Sequence, residues 1–161
     1  MKKTLIILAV FIGVLVCAVG YSDSQYRTAL GHTPPKLWLS DNGGVTLDDL
    51  RGKYVLLNFW KSTDAPSRRS TNDYTAWLRR HPSKNIEYIS VNLDDSRQMF
   101  REIARIDSLI PSTQYYVGGD TAKVLATNYG LDKGLGTMLI NPEGKIFAHN
   151  PSWDELNEIA R

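Results

Sequence analysis

Gly52-Lys53-Tyr54-Val55-Leu56-Leu57-Asn58-Phe59-Trp60-Lys61-Ser62-Thr63-Asp64-Ala65-Pro66-Ser67-Arg68-Arg69 decides how this chain folds. Tyr54 to Trp60 is a nearly unbroken apolar run of strand formers. Such a run suits a strand covered on both faces in the middle of an α/β sheet. Lys61-Ser62-Thr63 follows as a short polar loop. Asp64-Ala65-Pro66-Ser67 then reads as a helix start. Asp is a favoured N-cap, and Pro is tolerated in the first turn, where its missing N–H has no partner to lose. A strand whose carboxyl end runs directly into a helix N-terminus is a common place for chemistry in α/β proteins, because helix N–H groups and the macrodipole converge there.

Working outward, Lys36–Ser40 and Val45–Leu47 flank the turn signal Asp41-Asn42-Gly43-Gly44 and predict a hairpin. A helix is expected from Pro66 to about Arg80, with Ser70, Tyr74, Trp77 and Leu78 as its inner stripe and His81-Pro82 as its stop. Ile86–Leu93 reads as the second strong strand. Asp94-Asp95-Ser96 opens a helix whose apolar face is Met99, Phe100, Ile103 and Ile106. Gln114–Val117 is a short strand candidate. Asp120 is the expected cap of a helix over 121–129 that stops at Gly130. Thr137–Ile140 and Lys145–Ala148 predict a second hairpin, and Ser152 caps a closing amphipathic helix over 153–161. The chain shows no internal repeat and no low-complexity stretch.

The two blocks Leu50–Arg68 and Tyr129–Ile146 resemble the TlpA/ResA type of thioredoxin-like protein, within the wider AhpC–TSA redoxin superfamily. Leu50-Arg51-Gly52-Lys53, Val55-Leu56-Leu57-Asn58-Phe59-Trp60 and Pro66 match the first family block. Tyr129-Gly130, Leu139-Ile140 and Gly144-Lys145-Ile146 match the second. The resemblance covers roughly 34–161. It implies an α/β thioredoxin-like fold, with a central mixed sheet flanked by helices and an N-terminal hairpin. It also implies thiol–disulfide oxidoreductase chemistry, and here the residues depart from the pattern. Asp64 stands where the family has its attacking cysteine and Ser67 where it has the resolving one. Leu135 takes the place of the family's cis-proline, between Gly134 and Gly136.

No catalytic residue is therefore expected on the family's pattern. A carboxylate at a helix start is favoured by the dipole, which lowers its pKa and makes it a poor base. Asp64 reads as an N-cap, or alternatively as an acid, base or anchor for a polar ligand. Ser67 can hydrogen-bond but cannot exchange disulfides. A peroxidatic cysteine is also missing from the domain. Trp60, Lys61, Asp64, Arg68 and Leu135 are expected to converge on one binding rim, the alternative being that Trp60 packs inside and the charges are solvated. His32, His81 and His149 lack metal-ligand spacing, and neither a metal nor a cofactor is expected.

The chain has 161 residues and a formal charge of +2, both units supplied by Lys2 and Lys3. The remainder is balanced, so no basic field points to nucleic acid. The single cysteine, Cys17, lies in the leader. Met1-Lys2-Lys3 followed by an uncharged run from Thr4 to Gly20 predicts a signal peptide or membrane anchor over 1–20. Three outcomes stay open: cleavage after Ala18-Val19-Gly20, retention as an anchor, and lipidation at Cys17, a signal weakened by the bulky Val14-Leu15-Val16. All three place the domain on the periplasmic side of the cell envelope. Residues 21–35 read as a tether ending in Pro34-Pro35, and 36–161 as the domain. The expected role is a non-catalytic binding or scaffolding module for an envelope protein or peptide, with the membrane contacted through the leader. The family-based alternative is an oxidoreductase that works only with cysteines from a partner.

Overall fold

The computed structural model describes residues 28–82 and 85–161; the leader and the first part of the tether lie outside the described residues. Among the described residues no helix is long and apolar enough to cross a membrane. A hairpin of β1 (Trp38–Leu39) and β2 (Val45–Thr46) precedes the main sheet. The sheet contains β3 (Tyr54–Trp60), β4 (Ile86–Asn92), β5 (Gln114–Tyr116), β6 (Thr137–Ile140) and β7 (Ile146–His149) in the order β5-β4-β3-β6-β7. The β3, β4 and β5 strands run parallel, and β6 and β7 add antiparallel partners. Among the described residues four α-helices connect and flank them: α1 (Ala65–Arg80), α2 (Arg97–Ile106), α3 (Gly119–Tyr129) and α4 (Trp153–Ile159). This is the mixed thioredoxin-like sheet that the sequence predicts, with its N-terminal hairpin.

β3 is central and buried on both faces because its side chains alternate. Val55, Leu57 and Phe59 pack with Leu125 and Tyr129 of α3 and with the β1 residue Leu39. Leu56 packs on the other face with Tyr74 and Trp77 of α1 and Leu156 of α4. Trp60, at the strand's end, packs with Phe100 of α2 and Leu109. Burying each of these large side chains contributes roughly 1.5–3 kcal/mol.

Several helix expectations need correction. The inner face of α1 includes Ser67, Thr71 and Thr75 besides Tyr74 and Trp77, whereas Ser70 and Leu78 are only half-buried. Thr71 is accommodated there because β3 offers it a polar partner, Ser67 bonds within the helix cap, and Thr75 Oγ1 has no hydrogen-bond partner among the described residues. The Asn58 amide donates to Thr71 Oγ1 at 2.8 Å, and Thr137 Oγ1 donates to Asn58 Oδ1 at 2.9 Å. On α2 only Phe100 is buried; Met99 and Ile106 face solvent. Ser96 caps this helix by accepting from the Met99 N–H. Asp120 does not cap α3. Gly118 occupies the cap position, and Asp120 pairs with Lys123 inside the first turn.

Residues 28–35, read from composition as part of a tether, are seated on the domain. Gly31 N–H donates to Ile146 O at 2.8 Å, and Ile146 N–H donates to His32 O at 2.9 Å. Thr28 and Pro34 are buried, and Tyr129 Oη donates to Pro35 O at 2.7 Å. A polar, proline-rich segment lacks periodicity, so its backbone pairing with a strand edge leaves no trace in the sequence pattern.

The opposite edge, β5, is covered by the hairpin turn. Asn42 adopts a left-handed conformation, φ 56°, and its amide reaches Pro111 O, Ser112 O and Gln114 O at 3.1–3.3 Å. Asp41 accepts from the Tyr116 N–H at 2.9 Å and pairs with Arg97 at 3.1 Å. We expect Asn42→Ala to cost about 2 kcal/mol, from lost hydrogen bonds plus left-handed strain. Asn42→Gly, which keeps the backbone freedom, should cost about half as much. Urea denaturation of both variants checks this ordering.

Candidate functional site

The site is built at the carboxyl end of β3, where three segments meet. Trp60 O accepts from the Leu93 N–H at 2.9 Å, tying the strand end to the residue that follows β4. Phe59 N–H donates to Gly136 O at 3.1 Å, which brings the 134–136 loop alongside. The 61–64 loop then turns into α1.

Asp64 is the N-cap of α1. Its Oδ1 accepts from the Ser67 N–H at 2.9 Å. The buried Ser67 hydroxyl accepts from the Lys61 N–H at 3.3 Å and donates to Asp64 O at 3.2 Å. The Ser67 hydroxyl and N–H beside it hold the Asp64 carboxyl below its ordinary value of 3.8. The Asp64 and Ser67 side chains thus bond to each other's backbone. Each is occupied in stabilising the turn.

A further carboxylate, which the sequence reading placed merely at a helix opening, holds this loop. Asp94 is 4% exposed. Its Oδ1 accepts from the Ser62 N–H at 2.8 Å, and its Oδ2 accepts from the Ser62 hydroxyl and from Asn92 Nδ2. A buried carboxylate is tolerated where hydrogen bonds replace its hydration. The signal available in sequence was an acidic residue directly after a buried strand, but its partner lies 32 residues away.

The five residues expected on one rim are distributed differently. Trp60 is 0% exposed and belongs to the core; the alternation of β3 turns it toward Phe100, 6.1 Å away between ring centroids. Lys61 and Asp64 stay together in the loop and are half-buried. Arg68 is drawn toward the end of α2, where it makes a bidentate pair with Asp107, both contacts 2.6 Å. Hydrogen bonding to Arg68 holds the Asp107 carboxyl low. Leu135 is half-buried against the core and lines a cleft of about 570 Å³ with Thr28, Tyr129, His149 and Asn150. Gly134 takes φ 145°, a conformation open to glycine, while the peptide bonds of this loop are all trans. Ahead of β6, Thr137 N–H donates to Asn150 Oδ1 at 3.0 Å.

No group of three or more potential metal-ligating side chains occurs among the described residues. His81 Nδ1 meets Trp77 O at 3.0 Å and His149 Nε2 meets Thr28 O at 2.7 Å, so each sits in a backbone contact.

Two consequences are measurable. Asp64→Ala should cost about 1 kcal/mol at neutral pH. The folded-state pKa of Asp64 lies below its ordinary value. Its contribution is therefore complete above that value and fades as pH falls through the lowered one. Thermal melts of the two proteins should differ by a constant amount above about pH 4 and begin to approach each other only as pH falls below it. Asp94→Ala leaves three donors without an acceptor and should cost at least about 2 kcal/mol. Faster amide exchange at Ser62 should accompany the loss.

Comparison with known proteins agrees with this architecture. Residues 31–149 match the family model described as the AhpC/TSA family. The thiol-disulfide oxidoreductase ResA of Bacillus subtilis is 28% identical over 153 residues, which cover 90% of this chain and 83% of that protein. ResA of Geobacillus thermodenitrificans is 27% identical, with 90% and 86% covered. Among solved structures, a thioredoxin-like protein from Parabacteroides distasonis superposes with a TM-score of 0.69 at 30% identity, covering 83% of this chain and 95% of that one. The family match spans most of the sequence, and the sheet order and hairpin agree with it: the chain belongs to the AhpC/TSA family as a thioredoxin-like protein of the TlpA/ResA type.

Proposed function

We propose that this chain is an exported, membrane-associated thioredoxin-like domain that binds or scaffolds an envelope protein or peptide without thiol chemistry. The observation that carries the reading is the turn at the head of α1. Asp64 and Ser67 occupy the positions of the two redox cysteines, and both are hydrogen-bonded within the cap. The one cysteine in the sequence is Cys17, in the leader. Disulfide exchange needs a thiolate that attacks one sulfur and a second thiol that resolves the mixed disulfide. Neither Asp nor Ser can do this. Support for export comes from Lys2-Lys3 followed by the uncharged run to Gly20.

The names of the relatives favour a second reading, thiol–disulfide oxidoreductase activity. In this chain it would require cysteines supplied by a partner. Insulin reduction by the full-length protein with dithiothreitol separates the readings. The expected result is a rate equal to the uncatalysed one, and turnover that survives Cys17→Ser would overturn the non-catalytic reading. Binding is tested by photo-crosslinking in the native envelope from exposed Thr63, with exposed Glu158 on α4 as the control. A discrete adduct from position 63 alone is expected. Equal or absent adducts from both positions would sink the binding role.

A further inference from the structure

The α2 helix carries an apolar stripe that the rest of the domain leaves uncovered. Met99, Ile103 and Ile106 follow one another at steps of four and three residues, which places them on one face. Ile103 is half-buried against the cluster of Trp60, Phe100 and Leu109. Met99 and Ile106 are 44% and 56% exposed. The inward contact of the helix is made by Phe100 instead.

A polar row runs along the outer flank of this stripe. Gln98, Glu102 and Arg105 again follow at four and three residues, and all of them are exposed. Glu102 and Arg105 pair within the chain at 2.6 Å, and an exposed pair of this kind contributes little to stability. Its order matters more than its strength. The acid precedes the base along the helix, so a copy of α2 running in the opposite direction sets base against acid.

Helix geometry carries this further. With a two-fold axis at Ile103, Met99 of one copy falls beside Ile106 of the second copy, offset by one residue or about 1.5 Å along the axis. Glu102 falls beside Arg105 of the second copy with the same offset, and each contact occurs twice. The face is therefore complementary to itself in both apolar pattern and charge, which is the requirement for an isologous contact.

We propose that the occupant of this face is a second copy of the chain, joined by antiparallel pairing of the two α2 helices. Met99, Ile103 and Ile106 form the apolar centre, and Glu102 pairs with Arg105 across the flank. One helix face is smaller than a standard interface of roughly 1,600 Å², so the dimer is weak, with a Kd on the order of 100 µM.

Sedimentation equilibrium of the full-length protein in a neutral detergent, from about 10 µM to about 1 mM, tests this. Concentration-dependent dimers are expected. Met99→Glu combined with Ile106→Glu should weaken association roughly tenfold or more. Val124→Glu, at a 60% exposed apolar position on α3, should leave it unchanged. Glu102→Arg alone and Arg105→Glu alone should each weaken association roughly tenfold, because like charges then face each other along the flank. An equimolar mixture of these two single variants should associate as well as the parent, since one copy presents only bases there and the other only acids. The internal Glu102–Arg105 pair is broken in both variants, so recovery in the mixture reports pairing between copies. The proposal is overturned if the protein stays monomeric up to about 1 mM, or if the mixture associates no better than its components. It is also overturned if the Met99→Glu, Ile106→Glu protein associates like the parent, as it would if the leader alone joined the copies. The side chains replaced on α2 are exposed, so the core is left intact.

Discussion

Burial of β3 on both faces is the constraint on which the other elements depend. A strand in that position has no solvent side, so every neighbour must supply either an apolar surface or a hydrogen bond. The β4 and β6 strands supply the ladder. The α1 and α4 helices cover one face, and α3 with the hairpin covers the other. The one strongly polar side chain in the strand, Asn58, requires a matching set, and it recruits Thr71 and Thr137 to provide it. A polar residue at the middle of the sheet is thereby matched by a polar residue, Thr71, on the inward face of α1.

The same constraint concentrates the site. Because β3 ends in the interior, the Trp60 carbonyl and the Phe59 amide near its end must be satisfied by other segments, and they are, by Leu93 and Gly136. This brings the residues after β4, the 134–136 loop and the start of α1 to one place. A helix start such as this favours a negative charge. Here the positive end of the helix meets a carboxylate that accepts from the Ser67 N–H in the same turn. The field that would activate a nucleophile instead stabilises a cap. Asp94 adds a second hydrogen-bonded carboxyl group beneath the loop.

The fold was legible in sequence because its main signals are local. The β3 run, the Asp64-Ala65-Pro66 start, the Gly130 stop and the Ser152 cap all appear where the residues indicate. The site was legible only in part. Asp64 as a cap is a contact over three residues and could be read directly. Trp60 could not be assigned to rim or core, since the last residue of a strand is equally placed for either. The Arg68 pair and the Asp94 lock join residues 39 and 32 positions apart, and nothing in their local sequence announces the partner. Seating of 28–35 escaped notice because backbone pairing carries no side-chain pattern.

The coverage of the sheet edges limits how a polypeptide partner can be held. Many domains accept an extended peptide as an extra strand, using the free backbone groups of an edge. In this protein the outward groups of β5 are taken by Asn42 and Asp41, and those of Ile146 in β7 by Gly31 and His32. Both positions are closed from within the same chain. An extended peptide approaching these positions would meet side chains and loops in place of free strand groups. The same closure removes, at these positions, a template on which neighbouring copies could stack edge to edge.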